Sequence, residues 1–108
     1  MSLGKQQEKF SEDLVRLIMH AFDLGYKVRI GEVQRTEEQQ NLYIQSGRSK
    51  TTNSMHLKKC AADLHFTDNG HLVYPQELGQ FWEALSPENQ WGGFWENFVD
   101  RPHFERRI

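Results

Sequence analysis

Hydrophobic positions near the start of the chain recur with the period of an α-helix. The periodic positions are Phe10, Leu14, Leu17, Ile18, Ala21 and Phe22. They predict a helix from Lys5 to Leu24, and Gly25 fits the left-handed residue that often follows a helix. Apolar and polar residues then alternate over residues 26–30, which predicts a half-buried strand.

Two further helices and three further strands are predicted beyond that point. Thr36 and Gln39 form a capping-box pattern, so a second helix should begin at Thr36 and end near Gly47. A third should begin at Pro75, because proline is tolerated in the first turn. The predicted strands are Ala61–Thr67, Leu72–Tyr74 and Pro102–Arg106, with a tight turn at residues 68–70 and loops at 46–53 and 86–93. The sum predicts an α+β fold with helices packed on a small, mainly antiparallel sheet.

Length and charge narrow the class of protein. A chain of 108 residues predicts a single domain over residues 1–108. With 13 Lys and Arg against 15 Asp and Glu, the net charge is −2, which excludes a strongly basic nucleic-acid footprint. No apolar stretch could cross a bilayer, and the first residues lack a secretory signal. We therefore expect a monomer with no nucleic-acid partner and no membrane insertion.

Two histidines and one carboxylate stand where the predicted elements could bring them together. His56 and Asp63 bracket a short loop that leads into a predicted strand, and His103 follows Pro102. Such a set leaves a fourth position on zinc open for water, which is the composition of a catalytic site. Asp100, three residues before His103, could act beside that water as general base.

Spacing alone leaves other interpretations open. Asp63 and His65 lie on one face of the predicted strand, and two histidines with one carboxylate can also hold iron(II). Arg35 precedes a helix and could simply pair with Glu37 or Glu38. The single cysteine, Cys60, excludes an internal disulfide and is more typical of a small buried hydrophobe than of a metal ligand.

Three sequence blocks that follow one another along the chain favour one of these interpretations. They read VRIGEVQRTEEQQNLYIQSGRS, SMHLKKCAADLHF and QWGGFWENFVDRPHFE. Together they resemble the zinc D-Ala-D-Ala carboxypeptidase and L-alanyl-D-glutamate peptidase family, over most of the chain from Val28 to Glu105. The third block resembles the form typical of phage L-alanyl-D-glutamate endolysins. The resemblance implies the fold that these peptidases share with the hedgehog signalling domain.

The resemblance also implies a role for each matching residue. The cofactor would be Zn²⁺, bound by His56, Asp63 and His103. Asp100 would be the general base, and Arg35 would face the reacting carbonyl or a substrate carboxylate. Residues expected to support the site or contact substrate are Ser54, Gln39 and Trp91, although Trp91 could instead be a loop anchor packed into the core.

The implied function is cleavage of peptidoglycan stem peptides between L-alanine and D-glutamate. We expect synthesis in the cytoplasm and action at the bacterial cell wall after release or delivery. Two alternatives remain: a D-Ala-D-Ala carboxypeptidase, and a non-catalytic zinc-holding module that binds peptidoglycan or is structural. Lys59 stands where the family usually has glycine, so it could shift the loop or place a cation near the metal. An iron(II) oxygenase would need more strands than the sequence predicts.

Overall fold

A computed structural model describes residues 1–49 and 54–108. Within them, helices pack against one antiparallel sheet, so the predicted α+β class is confirmed. The α-helices are α1 (Leu3–Asp23), α2 (Glu37–Gln45) and α3 (Gln76–Leu85), and two 3-10 turns cover Met55–Lys58 and Gly92–Phe94. The strands are β1 (Lys27–Ile30), β2 (Ala61–Asp68), β3 (His71–Val73), β4 (Asn89–Trp91) and β5 (His103–Arg106). None of the described helices has the length and apolar character needed to cross a membrane.

The first helix forms where the periodicity predicts it. The Ser2 hydroxyl accepts a hydrogen bond from the Lys5 N–H at 3.2 Å and caps the first turn. Gly25 follows the last turn with φ of +91°, a conformation that side chains with a Cβ disfavour. The buried face carries Phe10, Leu17 and Ala21, which pack toward the sheet and α3.

Strand β2 is the centre of the sheet and sets the position of the site. Its later residues pair with β1 and β3, and its first residues pair with β5. The β2–β3 connection turns at Asn69 and Gly70, which both have positive φ, as the tight-turn prediction requires. Toward the start of β2, the register places Asp63 directly opposite His103 of β5.

Aromatic side chains fill the space between the helices and the sheet. Trp82 of α3 is fully buried and meets Phe10 and Phe104 edge to face, at centroid distances of 5.7 and 6.0 Å. Its indole N–H donates to the Glu105 carbonyl at 3.0 Å. This contact ties α3 to β5, the strand that begins with His103.

The prediction of a loop over residues 86–93 was wrong in part. Asn89–Trp91 forms strand β4, which pairs with β5 in antiparallel register. Three residues are too few to show an alternating pattern, so the pairing partner creates the strand rather than its own sequence. The 3-10 turn at Met55–Lys58 was also not predicted, and residues 50–53 of the predicted loop 46–53 lie outside the described residues.

Candidate active site

The three predicted metal ligands converge on one point. His56 Nε2 lies 3.3 Å from Asp63 Oδ1, and His103 Nδ1 lies 3.5 Å from the same oxygen. All three candidate ligand atoms are within 4.8 Å of one another. A tetrahedral cation with bonds of about 2.0–2.2 Å separates its ligands by about 3.3–3.6 Å, so the two measured separations fit such an ion.

The hydrogen bond of His56 fixes which of its ring nitrogens can bind a metal. Nδ1 lies 2.9 Å from the Val33 carbonyl oxygen, which can only accept, so Nδ1 carries the hydrogen. The neutral ring then presents the Nε2 lone pair toward Asp63. Within the described structure His56 Nε2 and Asp63 Oδ1 are buried without a hydrogen-bond partner. Two buried electron-rich atoms facing each other are costly unless a cation lies between them.

His103 is oriented from its other side by Glu105. The ring Nε2–H donates to Glu105 Oε1 at 2.7 Å, and Arg107 donates to the second oxygen at 3.0 Å. Burial raises the pKa of Glu105, but the bonds and charges of His103 and Arg107 outweigh burial and hold it below its ordinary value. An ionised Glu105 therefore holds the hydrogen on Nε2 and leaves Nδ1 toward Asp63.

The surroundings of the three ligands favour positive charge. Burial lowers the pKa of His103, but the neighbouring carboxylates of Asp63 and Glu105 outweigh burial and raise it to about 9. Burial likewise raises the pKa of Asp63, while both histidines hold it well below its usual range. A metal ion bound here would therefore compete with a proton on His103.

Arg35 lies beside the candidate metal ligands, but it does not pair with Glu37 or Glu38. Its Nε forms an ion pair with Glu32, and its Nη1 donates to Gln40 Oε1 at 2.6 Å. The backbone N–H of Arg35 donates to the carbonyl of His56 at 3.2 Å. Only 11% of the side chain is exposed, so the guanidinium is held in place rather than solvated.

Ser54 lies where the resemblance predicts it, whereas Gln39 does not. The Ser54 hydroxyl accepts from the His56 backbone N–H at 3.2 Å and lies 3.4 Å from Arg35 Nη1. Gln39 donates its backbone N–H to Thr36 at the start of α2 and does not line the cavity described below. Its neighbour Gln40 is buried and contacts Arg35, so the supporting glutamine is Gln40 and the prediction of Gln39 was wrong.

Asp100 lies on a turn that ends at His103. Its Oδ2 is 4.0 Å from His103 Nδ1, and its backbone oxygen accepts from the His103 N–H at 3.1 Å. Burial raises the pKa of Asp100 above its ordinary value. Gly92 supports this turn at close range, since a Cβ there would lie 2.2 Å from the Asp100 carbonyl oxygen.

Trp91 supports this loop from the core and does not contact the cavity. Its ring fills the space above Gly79 and Gly93, where a Cβ would come within 2.1 and 2.3 Å of ring atoms. Its indole N–H donates to the Arg101 carbonyl at 2.8 Å. Of the two roles considered for Trp91, the structure favours the loop anchor over substrate contact. Trp95 lines the cavity instead, with its ring centroid 5.1 Å from that of His103.

The candidate site opens onto a cavity of about 600 Å³. His56 and His103 line it together with Arg35 and Asp100, and it also contacts Trp95 and Arg48. The two candidate histidine ligands, the predicted general base Asp100 and Arg35 thus open onto a common space, and Asp63 lies behind the two histidines within ligand distance of both. The alternative pairing of Asp63 with His65 is not formed, because His65 Nδ1 contacts the Tyr74 hydroxyl at 3.0 Å.

Comparison with known proteins decides the family. A sequence profile of the D-alanyl-D-alanine carboxypeptidase family matches residues 47–106, more than half of the chain. The chain belongs to this family. The matched range includes His56, Asp63, His103 and Asp100, and the family predicted from the three sequence blocks is confirmed.

Two relatives with named activities are similar to this member of the D-alanyl-D-alanine carboxypeptidase family. The L-alanyl-D-glutamate peptidase of Listeria phage A118 is 36% identical over 86 residues, which are 75% of this chain and 31% of the phage protein. The chain thus spans about a third of that relative's length. The structure of the L-Ala D-Glu endopeptidase ChiX of Serratia marcescens superposes with a TM-score of 0.67 at 25% identity, covering 94% of this chain and 85% of that one. The predicted peptidase-like fold is confirmed.

Lys59 departs from the family pattern only in its side chain. Its φ of +56° and ψ of +34° lie in the left-handed region, which is the conformation that explains the usual glycine. Lys59 is exposed and does not line the cavity, so it places no cation there. The predicted unusual turn is confirmed, and the predicted charge near the metal is wrong.

Proposed function

We propose that this protein is a zinc-dependent peptidase that hydrolyses the L-Ala–D-Glu bond of peptidoglycan stem peptides. The observation that carries the proposal is the convergence of His56, Asp63 and His103 at a cavity that Arg35 and Asp100 also line. The named activities of the phage and Serratia relatives support the endopeptidase over the carboxypeptidase alternative.

The donor set suits zinc. Two imidazole nitrogens and one carboxylate oxygen, with the fourth position facing a cavity, are the composition of a catalytic zinc site. Zinc bound there would lower the pKa of its water to about 7 and polarise the substrate carbonyl. Glu105 and the Val33 carbonyl hold the two rings so that no rearrangement is needed on binding.

Asp100 is placed to move the proton. It lies beside the ligand atom of His103 and opens onto the cavity, so it can accept a proton from the attacking water. Protonated Asp100 can then deliver the proton to the leaving amine of D-glutamate. Because burial raises the pKa of Asp100 toward neutral pH, the carboxyl is better suited both to accept the proton from water and to deliver it to the amine.

Arg35 is placed to stabilise negative charge on the carbonyl oxygen. Among the described residues its hydrogen bonds involve Nε and Nη1, which leaves Nη2 for the substrate. Glu32 and Gln40 hold the guanidinium in position, so little reorganisation accompanies the reaction. Preorganised donors of this kind typically contribute about 10²–10³ in rate.

Mass spectrometry of digested Gram-negative peptidoglycan tests the proposal. The zinc-loaded protein should produce new stem fragments that begin with D-glutamate, and an Asp100→Asn protein carrying the same amount of zinc should not. Release of free D-alanine would support the carboxypeptidase alternative instead. An unchanged digest would support the non-catalytic alternative and contradict the proposal. We also propose that the protein acts at the cell wall, where this substrate lies.

A further inference from the structure

Three arginines line the cavity, and they differ in how their charge is balanced. Arg35 is paired with Glu32, and Arg107 is paired with Glu105 at 3.0 Å. Arg48 forms no ion pair within the described residues. Residues 50–53, which lie outside the description, contain no acidic residue in their sequence, Lys-Thr-Thr-Asn. Arg48 is therefore the arginine of this cavity whose charge no described carboxylate balances.

The fold fixes the point from which Arg48 reaches the cavity. Gly47, with φ of +78°, follows α2 and donates its N–H to Ile44, while the Arg48 N–H donates to the Tyr43 carbonyl at 2.8 Å. This pair of bonds is a Schellman ending, which sets the direction of the backbone after a helix. The Arg48 guanidinium then packs over the Tyr43 ring, 5.0 Å from its centroid.

None of the acidic residues that line the cavity, Glu96 among them, forms an ion pair with Arg48 in the described part of the chain. Arg48 is exposed, so its planar donors face solvent that a ligand can replace. A guanidinium in this state is suited to bidentate binding of a carboxylate.

We propose that Arg48 is a specificity residue that binds the free α-carboxylate of D-glutamate on the leaving side of the cleaved bond. The inference rests on the proposed function, because it identifies which peptide this cavity accepts. D-Glutamate in stem peptides is linked onward through its side-chain carboxyl, so its α-carboxylate stays free. That carboxylate carbon is roughly 2.5 Å from the scissile nitrogen. The carboxylate therefore enters the same cavity as the reacting bond.

Three synthetic peptides show which carboxylate of the substrate Arg48 binds. The first is N-acetyl-L-Ala-γ-D-Glu-L-Lys-amide, in which the D-glutamate α-carboxylate is the single free acid. The second replaces D-glutamate by D-isoglutamine and has none. The third keeps D-isoglutamine but carries meso-diaminopimelate in the third position, which moves the carboxylate to the next residue. Each is offered to zinc-loaded wild type, Arg48→Gln, Arg48→Lys and Arg29→Gln, where Arg29 is an exposed β1 residue outside the cavity.

We expect wild type and Arg29→Gln to cleave the first peptide about 10- to 100-fold better than the second, measured as kcat/KM. Arg48→Gln should lose that preference, because its kcat/KM falls for the first peptide and stays unchanged for the second. The preference of Arg48→Lys should lie between those of wild type and Arg48→Gln. Equal cleavage of both peptides by wild type, or an unchanged preference in Arg48→Gln, would overturn the inference. The inference would also be overturned if Arg48→Gln lowered cleavage of the third peptide but not of the first. The carboxylate bound by Arg48 would then belong to the residue after D-glutamate.

Binding measurements separate this inference from the proposed function. Calorimetry with zinc-loaded Asp100→Asn protein, with and without Arg48→Gln, reports affinity for the first two peptides without turnover. If wild type cleaves no peptide, the proposed function fails. A preference for the acid peptide that Arg48→Gln removes would still support carboxylate recognition by Arg48, and equal affinities would overturn it.

Discussion

The carboxylate of Glu105 holds the ring of His103 at 2.7 Å from the side opposite the candidate metal position. Glu105 is 3% exposed, so this bond is made away from water. We expect Glu105→Gln to lower zinc affinity about 10- to 100-fold, because the amide orients and polarises the ring less strongly. Competition with a chromophoric chelator measures this, and Glu88→Gln, which alters a half-exposed partner of Arg106, is the matched control. Equal affinities of wild type and Glu105→Gln would contradict this role.

Replacing Asp100 should separate chemistry from metal binding. Asp100→Asn keeps the shape of the side chain but cannot accept the proton, so kcat/KM on an L-Ala-γ-D-Glu peptide should fall about 10²–10⁴-fold. The zinc content and the unfolding midpoint should stay close to those of wild type, because Asp100 is not one of the three candidate ligands. A variant with wild-type turnover would remove Asp100 from the mechanism.

Lys59 stores backbone strain that glycine would relieve. Its left-handed conformation is disfavoured for a residue with a Cβ, so Lys59→Gly should stabilise the fold by about 0.5–1 kcal/mol. Lys58→Gly should instead destabilise it, because Lys58 lies within the 3-10 turn at negative φ. Urea unfolding of the zinc-free proteins checks both signs. A loss of stability in Lys59→Gly would show that its side chain makes a stabilising contact that outweighs the strain.

Asp13 should make stability depend on pH. It is buried in α1 and accepts hydrogen bonds from Ser86 at 2.7 Å, Asn89 at 3.1 Å and Lys9 at 3.1 Å. Burial raises the pKa of Asp13, but these bonds outweigh burial and hold it below its ordinary value of 3.8. Because the folded pKa is the lower one, the ionised form stabilises the fold above about pH 4. This contribution is lost as the pH falls through the folded pKa.

The variant Asp13→Asn isolates that contribution. At neutral pH its free energy of unfolding should be about 1–3 kcal/mol lower than that of wild type, and the difference should shrink below about pH 4. Asp23→Asn, at the exposed end of the same helix, should show neither effect. A difference between wild type and Asp13→Asn that stays constant from pH 7 to the acid limit of folding would contradict the ionic role.

The sequence predicted the parts of the site that depend on strands and spacing. Asp63 and His103 each lie in a segment whose strand pattern is clear, and antiparallel pairing brings the two residues together. Gln39 was preferred over Gln40 because a motif gives spacing but not which side of a short helix faces inward. The structure selects Gln40, which follows Thr36 by a full helical turn and bonds to Arg35.

The rest of the site depends on contacts between segments far apart in the chain. The glycines beside Trp91 indicate a loop anchor packed into the core, but the contact with Gly79 on α3 does not follow from the local sequence. Strand β4 likewise exists because β5 pairs with it. The position of Arg48 depends on a helix ending at Gly47, which the sequence did predict, and on packing against Tyr43, which it did not.

Zinc stoichiometry tests the central claim most directly. Purified protein is dialysed against a weak chelator and its metal content is measured by mass spectrometry, for wild type, Asp100→Asn and the three variants His56→Ala, Asp63→Ala and His103→Ala. We expect one zinc per chain in wild type and in Asp100→Asn. The three ligand variants should hold nearly none, because each removes a donor from a three-residue site. Full zinc content in any of the three, or none in wild type, would contradict it.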